Sequence, residues 1–203
     1  FYSDQEPGFI AAARELGWPH DMSKPDDHQS NGLIENMVGK VKDGARTLLY
    51  QAGMPPLCWP WAVKYFCVMN NIQDRSDLKP PRPAPFFERF HKHHQAERVP
   101  FGALVEYLPS SVVHDHLRAV MAPRTVPGIF VGYFEGVRGL TQDYMVIPLS
   151  DLGDAKHDPN DLSNWHVTPT RTGRVIFNKL NPQLPMKSAY DASRESILRR
   201  DSA

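Results

Sequence analysis

Apolar residues recur at Leu33, Ile34, Met37, Val38, Val41, Ala45, Leu48 and Leu49. Steps of three, four and seven draw one stripe along a helix, so residues from about Ser30 to Ala52 are expected to be helical with that stripe buried. Ser30 or Asn31 suits the N-cap; Gly53 and Pro55-Pro56 end the element. A shorter helix is expected over residues 8–16, closed by Gly17, and a strand over Trp18–Met22. Between them and the long helix, KPDDHQS forms a polar loop without one apolar side chain. A second long helix starts near Trp59 with Pro60 in its first turn, and Trp61, Tyr65, Phe66, Met69 and Ile72 mark its inner side. The two long helices read as a hairpin.

Beyond residue 72 the pattern changes. Five prolines (Pro80, Pro81, Pro83, Pro85 and Pro100) punctuate residues 73–100, which read as a linker with one helical turn at PFFERF. Phe101–Leu108, Gly128–Phe134, Tyr144–Leu149 and Arg174–Phe177 are β-type runs parted by turn residues, as in a small antiparallel barrel or sandwich. Residues 150–165 interrupt them as a polar insertion. Residues 181–203 read as a tail with one helix near Ala192–Arg199. The chain thus divides into 1–72, 73–100, 101–180 and 181–203.

Composition changes this picture little. The 203 residues are 41% hydrophobic and 23% charged, with 23 basic and 23 acidic side chains. No stretch approaches the length of roughly 18 apolar residues that a membrane span needs, so no membrane partner is expected. Two cysteines, Cys58 and Cys67, lie in apolar surroundings and read as reduced, buried thiols of an intracellular protein. The opening Phe1-Tyr2-Ser3-Asp4 has neither Met nor leader features and reads as the tail of a strand begun upstream. A fragment is expected, and with it an apolar helix stripe left uncovered and prone to self-association.

Divided along the chain, charge is more telling. Residues 1–35 hold two basic and seven acidic side chains, residues 36–92 nine and four, and the remainder twelve of each. An acidic segment beside a basic one suits a site holding cations near a polyanion. Glu35 falls in the first turn of the long helix, where the helix dipole alone favours a carboxylate. Asp4 ends an apparent strand. Strand-end Asp, helix, strand, polar loop and helix-borne Glu is an order that gathers oxygen ligands for divalent cations beside a phosphate. His91, His93 and His94 cluster, with His114 and His116 following, but no cysteine stands at zinc spacing; exposed loop histidines are expected. Trp59, Trp61, Tyr65 and Phe66 fall at helical spacing and read as core, not as a base-stacking platform.

Several segments, in order, resemble the integrases of copia-type long-terminal-repeat retrotransposons, within the retroviral integrase superfamily. They are YSDQEPGF, HQSNGLIEN, VGKVKDGARTLLYQAGMPPLCWPWAV, APFFERF, RVPFGALVEY, PGIFVGYFEGVRG and GRVIFNK, and they span roughly residues 1–180. The resemblance implies an α/β plus β fold. Residues 1–72 would be the C-terminal part of a ribonuclease-H-like catalytic core, and 101–180 a Src-homology-like β-barrel. It implies DNA integration in the nucleus by phosphodiester cleavage and strand transfer on element ends and target DNA. Two Mg²⁺ (or Mn²⁺) ions would be held by three carboxylates, with Asp4 as the second and Glu35 as the third. The first would lie upstream of Phe1, so this chain alone is expected to be inactive. Lys42, with Lys40 and Arg46, would contact phosphates, and Gln29 and Asn31 the DNA end. Gln5-Glu6-Pro7-Gly8 stands where the family has an Asn-Gly-type turn, and the Asp4-to-Glu35 interval is short, as in a diverged element. The alternative is a non-catalytic DNA-binding or assembly module.

Overall fold

Helices and one five-stranded antiparallel sheet make up most of the described residues. The computed structural model describes residues 2–3, 6–22, 32–76, 80–109, 124–136, 139–152 and 167–192. They belong to two compact units, residues 1–43 and 44–203.

In the first unit, strands β1 (Tyr2–Ser3) and β2 (Asp21–Met22) pair in parallel, Tyr2 opposite Asp21 and Ser3 opposite Met22. Helix α1 (Pro7–Glu15) connects them, the crossover that a parallel pair requires. Pro7 occupies the first turn, where its missing N–H costs nothing. Gly17 follows the last turn, and the Trp18 N–H returns to the Ala13 carbonyl at 2.9 Å. Helix α2 (Gly32–Ala52) begins in this unit and ends in the second.

The stripe on α2 is not buried along its length. Ile34, Met37 and Val38 are 52%, 52% and 46% exposed, whereas Ala45 is 4% exposed and Leu48 and Leu49 pack against the core of the second unit. Periodicity identifies the apolar side of a helix; whether anything covers it depends on the rest of the fold.

In the second unit, the C-terminal half of α2 leads through Gly53 (φ +64°) and a 3₁₀ turn at Pro56–Cys58 into α3 (Trp59–Ile72). Gly53 takes the left-handed conformation that closes a helix, and the Met54 N–H bonds the Leu49 carbonyl at 3.0 Å. Residues 73–100 include helix α4 (Pro85–Phe90) and bury Ala84 and Val99. The sheet has order β6-β5-β4-β3-β7, from β3 (Leu104–Tyr107), β4 (Val126–Gly136), β5 (Gly139–Pro148), β6 (Thr170–Thr172) and β7 (Val175–Ile176). Every neighbouring pair is antiparallel. Strands β4 and β5 form a longer hairpin than the apolar runs mark, with Gly136 opposite Gly139. Strand β6 carries no apolar run at all. Residues 185–192 are helical, and residues beyond 192, where most of the expected tail helix falls, are outside those described.

One core serves this unit. Ala45, Ala52, Cys58, Ala62 and Tyr65 from the helices cluster with Phe101, Val105, Ile129, Phe130, Tyr133, Val146 and Ile147 from the sheet side. Helix α3 lies against β4 through Tyr65, whose ring centroid is 6.0 Å from that of Phe130 and 6.3 Å from that of Tyr133. Trp59, expected in the core, is 58% exposed because it stands at the helix start, where α3 has not yet met the sheet.

Two glycines on α2 illustrate how packing overrides propensity. A Cβ on Gly39 would meet nothing within 4 Å, whereas one on Gly44 would lie 2.1 Å from Cε2 of Phe66 on α3. Gly39→Ala is therefore expected to stabilise the helix by up to about 1 kcal/mol. Gly44→Ala, despite the same gain in propensity, is expected to be net destabilising by about 1 kcal/mol or more. Urea midpoints of the two variants should move in opposite directions; a shared direction would show that α2 and α3 do not meet closely at Gly44.

Candidate nucleic-acid interface

Glu35 sits in the first turn of α2 and is exposed. Its carboxylate faces the positive end of the helix dipole, which stabilises it without any ligand. Lys42 follows seven residues later, almost two turns, and so returns to the same side about 10 Å along the axis. Lys40 and Lys42 are exposed. Arg46, four residues beyond Lys42, is also exposed and belongs to the second unit. Glu35 and Lys42 on one helix side suit metal-assisted contact with a phosphate chain, whereas Lys40, five residues from Glu35, is turned about 140° away. Asp4, Gln29 and Asn31 lie outside the described residues. Among the described residues no three His, Cys, Asp or Glu side chains gather to hold a metal.

A divalent cation such as Mg²⁺ takes six oxygen ligands, several of them carboxylate or water. Glu35 alone does not supply such a set.

Cys58 offers no alternative nucleophile. Cys58 is fully buried, and burial pushes its pKa up to about 12, so the reactive thiolate is absent near neutrality. Cys67 is half-buried, less enclosed than its apolar neighbours implied.

Sequence reasoning missed how tyrosine hydroxyls hold residues 97–99. The Tyr65 hydroxyl donates to the Val99 carbonyl at 2.9 Å, and Tyr133 donates to the Glu97 carbonyl at 2.9 Å. The Glu97 N–H donates to the Tyr144 hydroxyl at 2.9 Å, and the Val99 N–H to that of Tyr133 at 3.2 Å. An extended segment with no strand partner thereby satisfies its backbone groups through side chains. Burial raises the pKa values of Tyr65 (to about 12) and Tyr133, so both remain donors over the ordinary pH range.

His94 departs from the expected exposed loop histidine. Its Nε2–H donates to the Thr141 carbonyl at 3.2 Å, its ring meets Phe86 and Tyr133 edge to face, and Nδ1 is buried without a hydrogen-bond partner among the described residues. Desolvation lowers its pKa, favouring the neutral ring. His91 and His93 are exposed, and His93 stacks on Phe87 at 4.6 Å. His114 and His116 lie outside the described residues.

A second missed feature is an isolated antiparallel bridge between Arg75 and Arg82, which places two arginines directly opposite each other. Only pairing in space, not spacing in sequence, reveals it. Among the described residues no helix is long and apolar enough to cross a membrane. Compared with known proteins, the chain matches no family model, no curated protein and no solved structure.

Proposed function

We propose that this chain is part of a copia-type retrotransposon integrase and takes part in DNA integration. In this reading Asp4 and Glu35 bind Mg²⁺ or Mn²⁺, and Lys40, Lys42 and Arg46, with Gln29 and Asn31, contact DNA. The observation that carries it is the order of elements around Glu35. A parallel pair bridged by a helix, β1-α1-β2, is followed by α2 with Glu35 in its first turn. That is the order the resemblance implies for the C-terminal part of a ribonuclease-H-like core. In the sequence Asp4 immediately follows β1.

The sheet supports the barrel part of the reading. Strands β6 and β7 lie at opposite ends of the five-strand order, yet only Gly173 and Arg174 separate them. Four strand spacings in a flat sheet amount to about 19 Å. Three peptide steps from Thr172 to Val175 reach at most about 11 Å. The sheet must therefore curl until its outer strands approach, as in a small barrel. Register shifts within β4 supply local bending, and the Thr172 hydroxyl donates to the Leu108 carbonyl at 3.3 Å beside the seam.

The exposed Ile34, Met37 and Val38 favour a second reading, an assembly module that self-associates. A duplex-DNA titration across a range of salt concentrations separates the two. The integrase reading expects salt-dependent binding. Its slope, log K against log salt, should fall in magnitude by about 0.9 for each phosphate that Lys42→Ala, Arg46→Ala leaves unneutralised. The same chain should bind Mn²⁺ in calorimetry, and Asp4→Asn or Glu35→Gln should each abolish that binding. An unchanged DNA slope together with unchanged Mn²⁺ binding would leave the assembly reading standing alone.

A further inference from the structure

The Arg75–Arg82 bridge has an arrangement that packing does not explain. The Arg75 N–H donates to the Arg82 carbonyl at 2.9 Å and the Arg82 N–H to the Arg75 carbonyl at 3.1 Å. Residues that exchange both bonds stand about 5.5 Å apart at Cα, with side chains on one face. Like charges in directly opposed positions are destabilising. Both arginines are exposed, and neither guanidinium has a hydrogen bond, ion pair or ring contact among the described residues.

Among the described residues, two carboxylates of the adjoining segments are engaged elsewhere. Asp74 accepts the Ala84 N–H at 2.9 Å, and as the neighbour of Arg75 in an extended segment it points to the other face. Glu97 is paired with Lys179. Proline holds the bridge in place of a wider sheet: Pro83 restricts Arg82 to extended backbone, and Pro85 begins α4. Further cations lie in the adjoining stretches of chain. Arg98 is fixed through its Nη2 on the Ile72 carbonyl at 3.2 Å, three residues before Arg75, and Arg89 and Lys92 are exposed on and after α4.

We infer that Arg75 and Arg82 form a clamp for one phosphodiester group of a nucleic-acid backbone. Two planar guanidinium forks held on one face match the oxygens of a phosphate, which removes the repulsion between them. The neighbouring cations favour a polyanion over a lone phosphate, since successive phosphates of one strand meet successive charges. This site belongs to the second unit and involves neither Glu35 nor Lys42; it rests on the integrase reading only for the kind of polymer bound.

The test is fluorescence anisotropy of a labelled 20-base-pair duplex with the full chain, from low to moderate salt. Arg75→Ser, Arg82→Ser is expected to weaken binding roughly tenfold and to reduce the salt slope by about 0.9, one phosphate. Arg75→Lys, Arg82→Lys should keep the slope but lose several-fold in affinity, because a point charge replaces the fork. Circular dichroism of each variant checks that the fold is kept. Unchanged affinity and slope in the serine variant would overturn the clamp, while Lys42→Ala, Arg46→Ala in the same assay reports on α2 independently. The proposal is equally overturned if DNA binding is insensitive to the serine pair but inorganic phosphate stabilises the wild type and not that variant. The site would then serve a small phosphate.

Discussion

Tyr65→Ala is expected to destabilise the second unit by about 3–5 kcal/mol, the range for removing a buried aromatic ring. The ring is 7% exposed on α3 and sits among Phe101, Phe130 and Tyr133 at centroid distances of 5.6, 6.0 and 6.3 Å. Its loss opens a cavity at the junction of helix and sheet and also leaves the Val99 carbonyl without its donor. A domain stable by roughly 5–15 kcal/mol would forfeit a large share of that stability. Tyr65→Phe keeps the ring and removes only the hydroxyl, so its expected cost is about 1 kcal/mol, and the difference between the variants isolates packing from hydrogen bonding. Urea unfolding followed by far-ultraviolet circular dichroism and by tryptophan fluorescence should shift together, since helices and sheet share this core. A helix signal that melts early while the tertiary signal keeps its wild-type midpoint would show that α3 and the sheet are separate folding units.

The second large effect is expected at Gly102, where backbone conformation and space act in the same direction. Gly102 has φ +80°, and a Cβ there would stand 2.4 Å from the Ala52 Cβ and 3.3 Å from its Cα. Ala52 is fully buried at the end of α2, so it has no room to retreat. The turn is also tied to the sheet: Gly102 N–H donates to the Phe130 carbonyl at 2.8 Å, and Phe130 N–H to that of Ala103 at 2.9 Å. Gly102→Ala is expected to cost about 2–5 kcal/mol, combining left-handed strain with overpacking. For a unit of this size that corresponds to a fall in Tm of roughly 5–15 °C. Ala52→Gly in the same chain should recover the steric part and not the strain, so the two substitutions should be less costly together than their sum. Strict additivity would mean that the end of α2 does not touch the Phe101–Gly102 turn.

For the candidate site, the sequence carried the residue types and their order but not their convergence. Glu35 and Lys42 were legible because seven residues make almost two helical turns, a local property of the backbone. Whether Asp4 joins Glu35 depends on where β1 ends relative to α2. The tyrosine hydroxyls and the Arg75–Arg82 bridge were illegible for the same reason. Tyr65 and Val99 are 34 residues apart, and Tyr144 and Glu97 are 47 apart. No periodicity or motif spans such separations.

By itself the sequence determined the elements whose causes are local. Pro7 and Gly17 bound α1, Pro60 begins α3, Pro85 begins α4, and alternating apolar runs mark β3 and the inner parts of β4 and β5. These follow from backbone sterics and side-chain period, which act within a few residues. Tertiary structure alone decided the rest. It made a strand of Thr170–Thr172, which has no apolar run, because β5 presents an edge for it. It extended the β4–β5 hairpin to Gly136 and Gly139, and gave α3 and the sheet a common core through Tyr65. It left Ile34, Met37 and Val38 exposed while burying Ala45 on the same stripe. Burial requires a partner surface, and a residue's neighbours in space are set by chain closure over tens of residues rather than by the pattern around it.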